Sequence, residues 1–287
     1  MKHILLCTDG SEFSDSSYRY AAWFAPRLEA EIEVLNVSDV RSQKMANQNL
    51  SGAIGINASQ ELLNKFVELE YERSKIKQQK SQLILENAEA SLAELGIPEV
   101  TLTHQTGYFV DSLHECEQHS DLLILGQRGE GAGFNSEHLG SKIERVIRSI
   151  NTPCLVTPQN YRPIRRLVLA YDGGQSCQNA LQFLVNSSAF NDLELHIVIA
   201  AKQADDPQAK AHLQEAEAQA RSGSFTPIAR ILVGHPEQEI MSYIEQQQMD
   251  LLIMGAYGHS RIRSLIIGST TAYLLRESDI PVLLFRH

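Results

Sequence analysis

The chain has 287 residues, of which 43% are hydrophobic, which is enough for two cores because domains cluster near roughly 100 to 150 residues. Its formal net charge is −10 and no run of Lys and Arg stands out, which argues against nucleic acid as a partner. No stretch reaches the roughly 20 apolar residues of a membrane span, and the N-terminus turns polar too early for a secretion signal. We therefore expect a cytoplasmic protein that binds no membrane. The four cysteines lie far apart and predict neither a zinc site nor a redox dithiol.

The first predicted element is an apolar strand that runs into an Asp-Gly turn, and it occurs twice in the chain. Residues 3–11 (HILLCTDGS) match residues 166–174 (RLVLAYDGG). Asp9 therefore corresponds to Asp172. Each copy is followed by a helical pattern, which indicates an internal repeat of a whole domain.

The first half is the longer one, and the surplus follows its second predicted strand. Asp9 and Gly126 are 117 residues apart, whereas Asp172 and Gly255 are 83 apart, so the surplus is about 34 residues. We place it in an insertion over residues 40–95, made of a polar loop and a long charged helix. A helix of this composition usually presents a solvated face, and a partner-binding role is the alternative.

An apolar strand that ends in a glycine turn also occurs twice. Residues 120–129 (SDLLILGQRG) match residues 249–258 (MDLLIMGAYG). Each half then closes with a short strand after Pro153 or Pro281. The repeat predicts two domains, residues 1–159 and residues 163–287.

Strands that alternate with helices at these lengths predict an α/β fold with a doubly wound parallel sheet, one in each half. Ligands of such sheets bind at the carboxyl ends of the strands. Both the Asp-Gly turns and the glycine turns fall at those ends. We therefore expect the two kinds of turn to meet at one crevice in each half.

The crevice segment of the second half fits the pattern G-x2-G-x9-G-[ST]. Gly255 and Gly258 would let the backbone approach a ligand closely. Gly268, Ser269 and Thr270 open a predicted helix, whose unpaired N–H groups and positive dipole end favour a phosphate. The spacing therefore predicts a phosphate-binding crevice.

The whole segment, with the helix and the Ile-Pro-Val strand that follow, resembles the ATP-binding signature of the universal stress protein superfamily. The resemblance covers both halves, and it implies two tandem Rossmann-like domains with the adenine nucleotide alpha hydrolase-like fold. In that family the aspartate after strand one lies by the ribose, the adenine rests near the end of strand two, and the glycine signature holds the phosphates. Carried over by position, this implies nucleotide contacts at Asp172, Ile199, Ala200, Gly255, Gly258, Gly268, Ser269 and Thr270.

The first half departs from the signature, because ten residues rather than nine separate Gly129 from Gly140. Its corresponding residues therefore form a weaker candidate site, whose occupancy the sequence leaves open. That site comprises Asp9, Gly126, Gly129, Gly140 and Ser141.

The charge of the phosphate loop also differs between the halves. Arg261 and Arg263 give the second-half loop a formal charge of +2, whereas Glu130 and Glu137 give the first-half loop −2. One charge pair at about 6 Å and an effective dielectric constant near 20 is worth roughly 3 kcal/mol before solvent screening. We therefore expect the second half to bind nucleotide more tightly, with Arg261 and Arg263 among its ligand contacts.

The resemblance implies a stress-response regulatory protein whose ligand is ATP, ADP or AMP, with or without Mg²⁺. An Asp-Gly pair is by itself commonly only a turn, so chemistry alone leaves the role of Asp172 open. No P-loop, H-E-x-x-H, G-x-S-x-G or kinase signature is present, which makes a dedicated hydrolase a poor fit. A slow ATPase or phosphoryl-transfer enzyme and a nucleotide-independent interaction scaffold are the alternatives.

The resemblance also implies how the two halves are arranged. They are expected to pair through their last strands, like a homodimer fused into one chain. Dimerisation of the whole protein stays open.

Overall fold

The computed structural model describes residues 2–39, 60–129, 141–256 and 268–286. Within those ranges the first half alternates strands and helices. Its elements are β1 (Lys2–Cys7), α1 (Glu12–Leu28), β2 (Ala30–Asp39), α2 (Gln60–Glu94), β3 (Thr101–Gly107), α3 (Phe109–Glu117), β4 (Leu122–Gly126), α4 (Ser141–Ser149) and β5 (Cys154–Thr157).

The second half repeats this order, with a short 3₁₀ turn (Ser188–Phe190) after its first helix. Its elements are β6 (Arg166–Ala170), α5 (Gln175–Asn186), β7 (Glu194–Ala201), α6 (Pro207–Ser222), β8 (Ile228–Val233), α7 (Pro236–Gln247), β9 (Leu251–Gly255), α8 (Ser269–Glu277) and β10 (Val282–Phe285).

The ten strands form one continuous sheet in the order β3-β2-β1-β4-β5-β10-β9-β6-β7-β8. Neighbouring strands within each half are parallel, whereas β5 and β10 are antiparallel, with Leu155 opposite Leu283. The predicted pairing of the halves through their last strands is thus confirmed, and the two expected sheets are parts of one. Because the strands of the two halves run in opposite directions at this seam, β4 and β9 end at opposite edges of the sheet.

The inner strands of the sheet, β1, β4, β5, β10, β9 and β6, are mostly apolar because helices cover both faces of the sheet. Successive side chains of a strand point to opposite faces. Ile4 and Leu6 accordingly lie in the hydrophobic core under α1, whereas Leu5 and Cys7 lie in the core on the other face. This two-sided burial confirms the predicted α/β class.

The additional residues of the first half include a lengthened helix. The helix α2 has 35 residues, against 16 in its counterpart α6, and is about 52 Å long at 1.5 Å per residue. Its C-terminal part packs on the domain through Leu85, Ala88 and Leu92, which are buried. Its N-terminal part exposes Val67 and Tyr71 to solvent. The helix covers residues 60–94, within the predicted insertion. The predicted polar loop lies outside the described residues.

No helix in the described ranges is long and apolar enough to cross a membrane.

Candidate functional site

The candidate site of the second half lies where three neighbouring strands end. Ala170, the last residue of β6, is paired with Val198 of β7 and with Met254 of β9, so these residues stand at one level of the sheet. The predicted site residues follow one or two positions further along each strand. The structure therefore brings to one edge Asp172, Ile199, Ala200 and Gly255.

Asp172 shapes the turn that follows β6. Its Oδ1 accepts a hydrogen bond of 2.8 Å from the backbone N–H of Gly174, and Gly173 between them has a φ of +79°. A side chain at Gly173 would be strained, because this left-handed region disfavours residues with a Cβ. The carboxylate is thus held half-buried at the edge where the ribose is expected.

Two buried groups beside Asp172 stay protonated near neutral pH. Burial, and then the Asp172 carboxylate, raise the pKa of the Cys177 thiol to about 12. Burial, and then Glu215, raise the pKa of the Tyr171 hydroxyl to about 12. Neither group therefore supplies an anionic nucleophile to this crevice.

A helix covers the Asp-Gly turn in each half, but with different chemistry. The imidazole of His212, from α6, lies so close to Gly173 that a Cβ there would overlap it. In the first half the corresponding cover is Ile84, from α2, whose Cγ1 would lie 2.8 Å from a Cβ on Gly10. The second crevice therefore has a polar ring where the first has an aliphatic chain.

The helix α8 starts at the same edge as the Asp172 turn. Gly268 is its N-cap residue, and within the described residues no side chain caps the first turn. The Thr271 hydroxyl donates a 3.4 Å hydrogen bond to the carbonyl of Ala256, which fixes this turn beside the end of β9. Gly268, Ser269 and Thr270 are thus placed at the crevice, whereas Gly258, Arg261 and Arg263 lie outside the described residues.

A carboxylate that sequence reasoning missed reaches the start of α8. Thr270 Oγ1 donates to Glu237 Oε2 across 3.5 Å, and Glu237 is half-buried in the first turn of α7. The formal charges of +2 and −2 belong only to the loops between the glycines and do not include Glu237. Aligning the halves on Gly107 and Gly234 would have revealed the difference, because Glu237 then corresponds to Val110.

The first half brings its own candidate residues together. Asp9 Oδ1 accepts a 3.0 Å hydrogen bond from the N–H of Ser11, and the Asp9 carboxylate lies directly against Gly129. A Cβ on Gly126 would lie 2.9 Å from that of Phe13, so both glycines permit close approach. Two further predicted residues are not tested: Gly140 lies outside the described residues, as does the side chain of Ser141.

Side chains also link each crevice to the opposite half. The Gln127 amide, next to Gly126, donates to the carbonyls of Leu275 and Arg276 in the last turn of α8. In the reverse direction, Arg286 donates to the carbonyl of Ile150, just after α4, across 3.0 Å. The helix that starts at the second crevice therefore ends beside the first.

Comparison with known proteins agrees with this architecture. The sequence profile of the universal stress protein family matches residues 1–158 and residues 163–286, almost the whole chain. The chain belongs to the universal stress protein family. It is 50% identical over 287 residues to universal stress protein Slr1230 of Synechocystis sp., with 100% of both chains covered.

A solved structure shows the same fold over nearly the whole chain. A universal stress protein from Archaeoglobus fulgidus matches with a TM-score of 0.71 at 21% identity, covering 99% of this chain and 98% of that one. A universal stress protein solved in complex with cAMP is 26% identical, covers 44% of this chain and 98% of its own, and has a TM-score of 0.37. The family match over both halves and the Archaeoglobus fulgidus structure confirm the predicted tandem universal stress protein in family and fold.

The described residues contain no group of three or more His, Cys, Asp or Glu side chains that could hold a metal ion.

Proposed function

We propose that this universal stress protein binds an adenine nucleotide in the crevice of its second half, and that binding regulates the protein rather than starting a reaction. The supporting observation is the first turn of α8, which no side chain of the described residues caps and which starts at the same edge of the sheet as the Asp172 turn. The proposed ligand is ATP, ADP or AMP. We propose binding rather than turnover because burial keeps the Cys177 thiol and the Tyr171 hydroxyl beside Asp172 protonated, with each pKa raised to about 12.

The start of α8 suits the phosphates. The first N–H groups of a helix have no hydrogen-bond partner within the helix, and the helix dipole gives this end a charge equivalent to about +0.5 elementary charge. A phosphate is the anion that such a site commonly receives. Ser269 is exposed and can add its hydroxyl, and we assign Arg261 and Arg263 of the loop to the same phosphates.

The other end of the crevice suits the nucleoside. The Asp172 carboxylate can accept hydrogen bonds from ribose hydroxyls. Ile199, which is buried, and Ala200, which is half-buried, lie at the end of β7 where the base is expected, and His212 stands over the adjoining turn. Weaker binding in the first half is proposed for the corresponding Asp9 and Gly129.

The affinity of the purified protein for ATP tests this proposal. We expect Gly268→Val to weaken ATP binding by at least about tenfold in isothermal titration calorimetry, because the new side chain would occupy the phosphate position. The variant should fold, since a Cβ at Gly268 would lie 3.5 Å from Thr271 Oγ1, an ordinary contact. The matched control is Gly140→Val in the first half. An equal loss in both variants, or unchanged affinity in Gly268→Val, would contradict the assignment to the second half.

A second prediction for the same site concerns the carboxylate of Glu237. Its carboxylate lies beside the proposed phosphate position, so it repels a free polyphosphate and favours one that carries a divalent cation. We expect Glu237→Gln to raise affinity for ATP without Mg²⁺ by about three- to tenfold, and to change affinity for AMP much less. Titrations with and without EDTA measure this effect. Glu239→Gln, in the same helical turn, is the control, and an identical gain there would rule out a specific effect of Glu237.

A further inference from the structure

A cleft of about 460 Å³ lies between the halves, apart from both candidate nucleotide crevices. One wall is formed by the amino ends of β1, β2 and β4. The other wall is the C-terminal part of α5. We call it the open cleft, and its α5 wall carries Asn179, Gln182, Phe183 and Asn186.

The twofold repeat of the fold implies a corresponding position in the other half, which we call the linker cleft, and the linker between the halves (residues 158–164) fills it. The alignment of Asp9 with Asp172 makes Tyr20 of α1 the counterpart of Phe183. Tyr161 of the linker packs on Tyr20, with ring centroids 4.8 Å apart. The Arg162 N–H donates to the Tyr20 hydroxyl across 3.1 Å. Tyr20 is consequently 0% exposed.

The floors of the two clefts are built alike. In the open cleft the His3 N–H donates to Asp121 Oδ2 across 2.8 Å. In the linker cleft the corresponding N–H of Arg166 donates to Asp250 Oδ2 across 3.0 Å. The linker is therefore an example of a segment that can bind in such a cleft, with an aromatic ring stacked on the helix and a backbone N–H that donates a hydrogen bond.

We propose that the open cleft binds an extended segment of a partner protein, which presents a tyrosine or phenylalanine ring to Phe183. Phe183 packs against Phe190 and Phe285 at centroid distances of 5.5 and 5.3 Å, and it stays half-buried because none of the described residues covers it as Tyr161 covers Tyr20. A third ring can stack on the part that lines the cleft. The site is independent of nucleotide binding.

The polar groups of the wall match a peptide backbone. Asn179, Gln182 and Asn186 are three and four residues apart, so they share one face of α5. Their amides both donate and accept hydrogen bonds, as an extended backbone requires. In the linker cleft the Tyr20 hydroxyl accepts a hydrogen bond from the linker backbone. Phe183 has no hydroxyl, and these amides can supply that hydrogen bond in the open cleft. The net charge of −10 disfavours nucleic acid as the occupant.

A peptide with the linker sequence, residues 158–164, is the probe. We expect it to bind the full-length protein saturably at one per chain in fluorescence anisotropy. Replacing its tyrosine by alanine should weaken binding at least tenfold, as should Phe183→Leu in the protein. If Phe183→Leu lowers thermal stability, the double variant Asn179→Ala/Gln182→Ala provides the same test, because Gln182 is exposed and Asn179 half-buried.

The control is Gln214→Ala on the exposed surface of α6, which should bind the peptide like the unchanged protein. Three results would overturn the proposal. The first is no saturable binding at millimolar peptide. The second is equal binding by the alanine peptide and by the cleft variants. The third is a dimer in analytical ultracentrifugation that the peptide converts to monomer, which would assign the cleft to the linker of a second copy.

Discussion

Leu283→Ala is expected to lower the free energy of unfolding by about 2 to 5 kcal/mol, the range for truncating a fully buried leucine. Leu283 lies in β10 directly opposite Leu155 of β5, and both side chains are 0% exposed. The antiparallel seam therefore belongs to the core rather than to a loose contact between domains. Urea denaturation followed by circular dichroism measures the change.

The shared sheet also affects the cooperativity of unfolding. Because the sheet and its cores run through the seam, we expect one cooperative transition for both halves. Val233→Ala on the edge strand β8 is the control, since Val233 is 48% exposed and should change stability by less than about 0.5 kcal/mol. Two separate transitions, or an equal effect of both variants, would contradict a shared core.

Gly173→Ala is expected to lower the free energy of unfolding by about 2 to 4 kcal/mol, combining left-handed strain with overlap on His212. Gly173 has a φ of +79°, and its Cβ would meet the imidazole of His212. The substitution should also weaken ATP binding, because it displaces the adjoining Asp172 turn. Denaturation and calorimetric titration measure the two effects.

The chain contains a matched control for this glycine. Gly96 has a φ of +89°, but no atom lies within 4 Å of a Cβ built there. Gly96→Ala should therefore cost only the conformational strain, about 1 to 2 kcal/mol. Adding His212→Ala to Gly173→Ala should reduce its effect to about that value. If the double variant is no more stable than Gly173→Ala, the His212 contact does not constrain the turn.

The fold was predictable because its signals lie within short segments that occur twice. The Asp9 and Asp172 turns, the strands before Gly126 and Gly255, and the long helix of the first half all follow from local patterns. The pairing of β5 with β10 was implied by the family resemblance. Strand pairing between distant segments otherwise carries no local signal in a single sequence.

The site was predictable only in part. Backbone positions such as Asp172 and Gly268 follow from the glycine and Asp-Gly patterns, because these residues shape turns that any α/β sheet places together. His212, Glu237 and Gln127 act through contacts with residues distant in the chain. Their approach depends on how the helices pack, which the helical pattern does not encode.

Binding of an adenine nucleotide by the second half is tested most directly by identifying the small molecules that the purified protein carries. Purified protein is denatured, and the released small molecules are identified and counted by mass spectrometry, in parallel with Gly268→Val. We expect about one adenine nucleotide per chain in the unchanged protein and a loss of that nucleotide in Gly268→Val. No nucleotide in either sample, together with no binding of added ATP at millimolar concentration, would contradict the claim.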